Sequence, residues 1–76
     1  MTNPCRLDSS CLKTAAYDHD CRILQLEFRS GQVHDYHDVP FQLFIRLIDA
    51  KSAGQFFHQF IRNGYHCERI PMKATS

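Results

Sequence analysis

At seventy-six residues the chain is near the lower limit for a self-sustaining hydrophobic core, so one domain is expected. A 43% hydrophobic and 12% aromatic content excludes a disordered polymer, with six Phe and three Tyr carrying much of the burial. Nine Lys and Arg against eight Asp and Glu leave a net charge of +1, without the basic excess of a general nucleic-acid binder.

Residues 1–8 read as a flexible N-terminal arm, because nothing periodic involves them and Pro4 interrupts pairing. Met1 to Pro4 carry no charged cluster ahead of an apolar run, and no segment has the length of a bilayer span, so a cytoplasmic location is expected. In that compartment Cys5, Cys11, Cys21 and Cys67 are expected to be thiols.

Cys11 to Tyr17 has strand content with poor alternation, and Asp18-His19-Asp20 has turn composition. Arg22 to Arg29 is the clearest strand, with Leu24, Leu26 and Phe28 on one face and Gln25, Glu27 and Arg29 on the other. Ser30-Gly31 predicts a two-residue hairpin turn that pairs Phe28 with Val33, Glu27 with His34 and Gln25 with Tyr36. That register sets His34 and Tyr36 on the face opposite the core, and a bulge would reverse the assignment.

Pro40 suits the first turn of a helix whose stripe is Phe41, Phe44, Ile45 and Ile48, widened by Leu43 and Leu47. Ser52 with Gln55 predicts a capping box opening a second helix, with Ala53, Phe56, Phe57, Phe60 and Ile61 as its apolar stripe. Asn63-Gly64 is expected to end it through a left-handed cap, and the chain reads as irregular from Tyr65, with a disordered tail over residues 71–76. The expected fold is α+β: a three-stranded antiparallel β-meander followed by two short α-helices packed on one sheet face, with both sheet edges unpaired.

These elements, with Ser9-Ser10, Tyr17-Asp18, Leu24, Leu26, Phe28, Ser30-Gly31, Val33, Tyr36 and Val39-Pro40, resemble the KTSC domain. The helical half contributes Leu47, Ala50, Ser52, Gly54, Phe56-Phe57, Ile61-Arg62 and Tyr65. The resemblance spans residues 9–70. It implies a small domain that occurs alone in bacterial and phage proteins and at the C-terminus of some lysyl-tRNA synthetases. The family usually carries a tyrosine pair two residues apart in the third strand, and here His34 stands in place of the first. No activity comes with the resemblance, only the suggestion of an accessory binding module.

No catalytic constellation is expected. The carboxylates of Asp18 and Asp20 flank Cys21 and disfavour the thiolate a cysteine nucleophile needs, and no phosphate loop or nucleophile elbow is present. The chain is therefore read as a non-enzyme without a cofactor. His34 and His37 would point to opposite strand faces, and His66 and Cys67 diverge likewise, so metal binding is not expected; His19, Cys21 and His37 would have to converge at one sheet end.

Tyr17, His34 and Tyr36, edged by Lys13, Arg22 and Arg29, carry the ingredients of a stacking platform for single-stranded nucleic acid. Cross-strand packing of the same rings is the stronger reading, since Glu27 and Asp35 dilute any positive field there. Arg62 reads first as a solvated arginine favoured by the helix dipole, with a ring-stacked place near Tyr36 or Tyr65 as the functional alternative. The leading expectation is a non-catalytic module that contacts RNA or single-stranded DNA through the open sheet face and Arg62. The alternative is a protein-interaction or self-associating domain, suited by free sheet edges and aromatic surface. Neither a membrane nor a small-molecule substrate is inferred.

Overall fold

The structure, a computed structural model, describes residues 2–70; the tail expected over 71–76 lies outside them. Seven elements follow in chain order: β1 (Cys5–Arg6), β2 (Leu12–Asp18), β3 (Ile23–Phe28), β4 (Val33–Tyr36), α1 (Phe41–Asp49), α2 (Ala53–Phe60) and β5 (Cys67–Ile70). The strands form one antiparallel sheet in the order β1-β2-β3-β4-β5, and both helices cover one of its faces. The α+β class is as expected, but the sheet has five strands where three were expected.

Both additional strands are edges. The segment expected as a loose arm is tied down: Cys5 pairs with Ala15 and Arg6 with Thr14. The Thr2 amide donates to the Tyr17 carbonyl at 2.8 Å, the Thr2 hydroxyl accepts from the Tyr17 amide at 2.9 Å, and Leu7 is buried. At the other edge β5 pairs Cys67 with Tyr36 and Glu68 with Asp35. These segments show little apolar alternation because most of their side chains face water, Cys5 and Ile70 being half-buried, and backbone pairing defines them as strands.

The β3–β4 hairpin is one residue longer than the tight turn expected. The Gly31 amide donates to the Phe28 carbonyl at 2.9 Å and the Phe28 amide donates to the Gln32 carbonyl at 2.8 Å, leaving Arg29, Ser30 and Gly31 as the loop. Gly31 sits at φ 97°, a left-handed conformation that glycine adopts without side-chain strain. The extra residue shifts the register to Glu27 with Val33, Leu26 with His34 and Leu24 with Tyr36. Tyr36 and His34 therefore move to the helix-covered face, the reversal a bulge imposes.

A second irregularity lies in β2, where Leu12 pairs with Phe28 but Thr14 pairs with Glu27, so Lys13 is the extra residue. This bulge returns Leu12 to the face of Ala15 and Tyr17, which explains the poor alternation read from the sequence. The core joins Leu12, Ala15, Tyr17, Leu24, Leu26 and Tyr36 from the sheet to Val39, Phe44, Leu47, Phe57 and Ile61.

Asp18 makes the expected turn, its carboxylate accepting from the amides of Asp20 at 3.0 Å and Cys21 at 3.3 Å. Pro40 stands at the N-cap of α1, and the Ser52 hydroxyl caps α2 by accepting from the Gln55 amide at 3.3 Å. The helix stripes are narrower than expected. Phe41, Ile45 and Phe60 face outward, with 39%, 42% and 47% of their surface exposed. Phe44 and Leu47 supply the buried face of α1, and Ala53 and Phe57 that of α2. Helix α2 stops at Phe60, where the amides of Ile61 and Arg62 both reach the Phe57 carbonyl, and Gly64 closes a turn to Ile61 without taking positive φ.

Candidate nucleic-acid interface

The sheet face away from the helices receives Arg6 from β1, Thr14, Ala16 and Asp18 from β2, Ile23, Gln25 and Glu27 from β3, Val33 and Asp35 from β4, and Glu68 and Ile70 from β5. It is a carboxylate-rich surface with its own internal bonding. Gln25 donates to Asp35 at 3.0 Å and Thr14 donates to Glu27 at 3.3 Å, while His37 Nε2 lies 3.3 Å from Glu68 without making a hydrogen bond among the described residues.

The rings weighed as a stacking platform there are not on that face. Tyr17 is 2% and Tyr36 is 3% exposed, both on the helix side of the sheet. Tyr17 stacks on Phe44 with ring centroids 5.6 Å apart, and its hydroxyl donates to the Val39 carbonyl. Tyr36 meets Phe57 edge-on at 5.6 Å, with its hydroxyl beside the Cys67 thiol. Burial, reinforced by Cys67, holds the Tyr36 phenol well above its ordinary pKa, and the charge of Arg62 offsets this only in part. His34 is half-buried against Phe28, centroids 4.9 Å apart, and its Nε2 has no hydrogen-bond partner among the described residues.

Arg62 is exposed, as its solvated reading has it; its charge reaches Tyr36, and its Nη1 is 3.3 Å from Nδ1 of His58. The cation resting on aromatic faces is Arg46 instead, 5.5 Å from the centroid of Phe56 and 5.7 Å from that of Phe60. Arg22 projects from the Asp18 turn at φ 57°, the end of the β2–β3 hairpin remote from Lys13 and Arg29. His19 packs on Phe41 at 4.5 Å and His37 lies by His66 at 5.3 Å, so His19, Cys21 and His37 do not converge.

Lys13 and Arg29 are the expected site residues that the fold brings together. They line a groove of about 420 Å³ with Arg6, Leu7 and Asp8. Each cation has a local cause. Edge strand β1 delivers Arg6 opposite Thr14, the β2 bulge delivers Lys13, and Arg29 follows β3 with its amide bonded to the Cys11 carbonyl at 3.0 Å. The Arg29 guanidinium is held from behind: Nε donates to the Ser9 carbonyl at 2.6 Å and Nη2 to the Leu7 carbonyl at 3.5 Å. Lys13 lies 3.8 Å from Glu27.

Beyond Asp8 the surface continues into a second groove of about 380 Å³, lined by Ser9, Ser10, Lys51, Ser52, Gln55 and His58 among others. The loop between the grooves is built by Ser9, whose hydroxyl accepts from the amides of Cys11 at 3.1 Å and Leu12 at 3.2 Å. Gly54 is what lets α2 approach: a Cβ there would sit 3.3 Å from the Ser9 hydroxyl. Arg6, Lys51 and His58 were not foreseen. Arg6 lay in a segment without periodicity, and only the fold brings Lys51 and His58 to the loop after β1.

The KTSC domain model matches residues 8–65, well over half of the chain. The chain belongs to the KTSC family. A lysine–tRNA ligase of Nostoc sp. is 35% identical over 63 residues, which is 83% of this chain but 11% of that enzyme. An uncharacterized protein of Stutzerimonas stutzeri is 38% identical over 56 residues, covering 74% of this chain and 79% of that protein. The crystal structure of a KTSC domain protein from Yersinia pestis superposes with a TM-score of 0.86 at 29% identity, covering 91% of this chain and 97% of that one. The chain thus spans about a tenth of the ligase it matches, and nearly all of the Yersinia protein. No helix among the described residues is long and apolar enough to cross a membrane.

Proposed function

We propose that this KTSC domain is a non-catalytic module that binds single-stranded nucleic acid, RNA foremost, through the groove of Arg6, Lys13 and Arg29 at the β1 edge of the sheet rather than through the centre of the open face. The convergence of those cations carries the reading. They approach one groove whose lining contains a single carboxylate, Asp8, with Glu27 at its border beside Lys13, whereas the open face beyond it presents Asp18, Asp35 and Glu68 to any phosphate. Phosphate contacts supply most of the affinity in nucleic-acid binding, so a polyanion is drawn to the first surface and repelled from the second. A relative named for tRNA ligation supports the choice of RNA.

Titration of a labelled single-stranded RNA at low salt tests this. Binding is expected at micromolar protein. Two to three phosphate contacts give a slope of log affinity on log salt of about −1.4 to −2.1, and Lys13→Gln flattens it by about 0.7. Absence of low-salt binding, or a slope unchanged by Lys13→Gln, would sink the reading. Protein contact is the alternative, favoured by the outward Phe41, Ile45 and Phe60. Failure to bind RNA, together with scattering mass that rises with concentration, would select it.

A further inference from the structure

Resting on that reading, we infer that the Arg6–Lys13–Arg29 groove is an end-recognition site, taking the terminal 5′-phosphate of a strand in preference to the internal phosphates of its backbone. The groove is a point, not a track. Its cations converge from three separate elements, and a strand leaving it across the open face would meet Glu27, then Asp35, then Glu68 on consecutive strands. The other way out, past Asp8 over the loop held by Ser9, leads to hydroxyls, an amide and the cation of Lys51. A strand therefore has one permitted exit from the groove, which suits a chain end.

The charge is matched to an end as well. Three cations against the one carboxylate of Asp8 leave the lining at about two positive charges, tempered by the contact of Lys13 with Glu27. A phosphate monoester carries about −1.5 to −2 at neutral pH, whereas an internal diester carries a single charge. Arg29 is organised for such a group before any ligand arrives. The Ser9 and Leu7 carbonyls hold its Nε and Nη2, and Nη1 makes no hydrogen bond to a described residue. A fixed guanidinium plane suits the oxygens of a phosphate, and Lys13 adds a compact point charge. The groove, about 420 Å³, is open on its solvent side, so the nucleotide that bears the phosphate can extend out of it.

Fluorescence anisotropy with two RNA oligonucleotides of one sequence, labelled at the 3′ end and bearing either a 5′-phosphate or a 5′-hydroxyl, separates the possibilities. The 5′-phosphorylated strand is expected to bind about tenfold more tightly, the effect of one added charge-assisted contact. Arg6→Gln, with a melting temperature checked against the parent, is expected to bring the two strands to the same affinity. A nucleoside 5′-monophosphate is expected to displace the phosphorylated strand better than inorganic phosphate does. Equal affinity of the two strands for the parent would overturn end recognition and leave the binding reading standing. Failure of both to bind would overturn the binding reading itself. If inorganic phosphate competed as well as the monophosphate, the groove would be a simple anion site and strand-end recognition would be lost.

Discussion

The two tyrosines that invite comparison with a base-stacking surface are engaged inside the domain. Tyr17 uses its hydroxyl to satisfy the Val39 carbonyl at the entry to α1, so ring and handle both serve packing. Tyr36 is the more revealing case because its burial has a measurable consequence. The phenol is held above its ordinary value of 10.0 by desolvation first and by Cys67 second. Above about pH 10 the unfolded chain gives up the proton that the folded chain retains, so stability is present in full below that pH and is lost as pH climbs through the folded value. The urea midpoint of the parent should therefore fall more steeply between about pH 9.5 and 11.5 than that of Tyr36→Phe, which has no proton to lose. Identical slopes would mean that the Tyr36 hydroxyl is solvated and that β4 does not face the helices.

At the scale of elements, hairpin register decides which residues can form a surface. A single extra loop residue between β3 and β4 turns His34 and Tyr36 from the open face to the covered one. The strand itself was legible from Leu24, Leu26 and Phe28, and so were the turn at Gly31 and the cap at Ser52. The loop length was not. Ser30-Gly31 is compatible with either a two-residue turn or a longer loop with glycine in its last place, and apolar alternation in the short β4 fails to choose because His34 and Tyr36 tolerate either face. Gly31 is required in both geometries, and its φ of 97° sets the cost of replacing it. Gly31→Val should strain the loop by ~1–3 kcal/mol, against a total of about 4–11 kcal/mol for a domain of this size. A urea-unfolding midpoint lowered by a substantial fraction is expected, and a midpoint within error of the parent would mean that the loop is not pinned at positive φ.

For the molecule as a whole, the edges matter most. A three-stranded meander would leave the outer sides of β2 and β4 open to strand addition; in this domain β1 covers the first and β5 the second. The new edges are poor templates, one being two residues long and the other carrying Glu68 and Arg69 in its middle. Neither strand falls within residues 8–65, the stretch matched by the family model, and neither announces itself in composition. Strand β1 also supplies Arg6, and the segment after it gives Leu7, whose carbonyl helps to hold Arg29, so edge protection and the cationic groove depend on one stretch of chain. Deleting residues 1–8 should then do three things at once. Loss of buried Leu7 costs about 1.5–3 kcal/mol, with the Thr2 and Cys5 pairings lost in addition, so the urea midpoint should drop by roughly a third or more. The bared side of β2 should show as scattering that grows with concentration, since a row of unpaired amides and carbonyls is a template for another copy. Salt-dependent RNA binding should weaken beyond what Arg6→Gln alone produces, because Arg29 loses a fixing acceptor along with its neighbour. A truncated chain that unfolded with the parent and stayed monomeric would show that the first strand is an appendage, and the groove would then need another explanation for its shape.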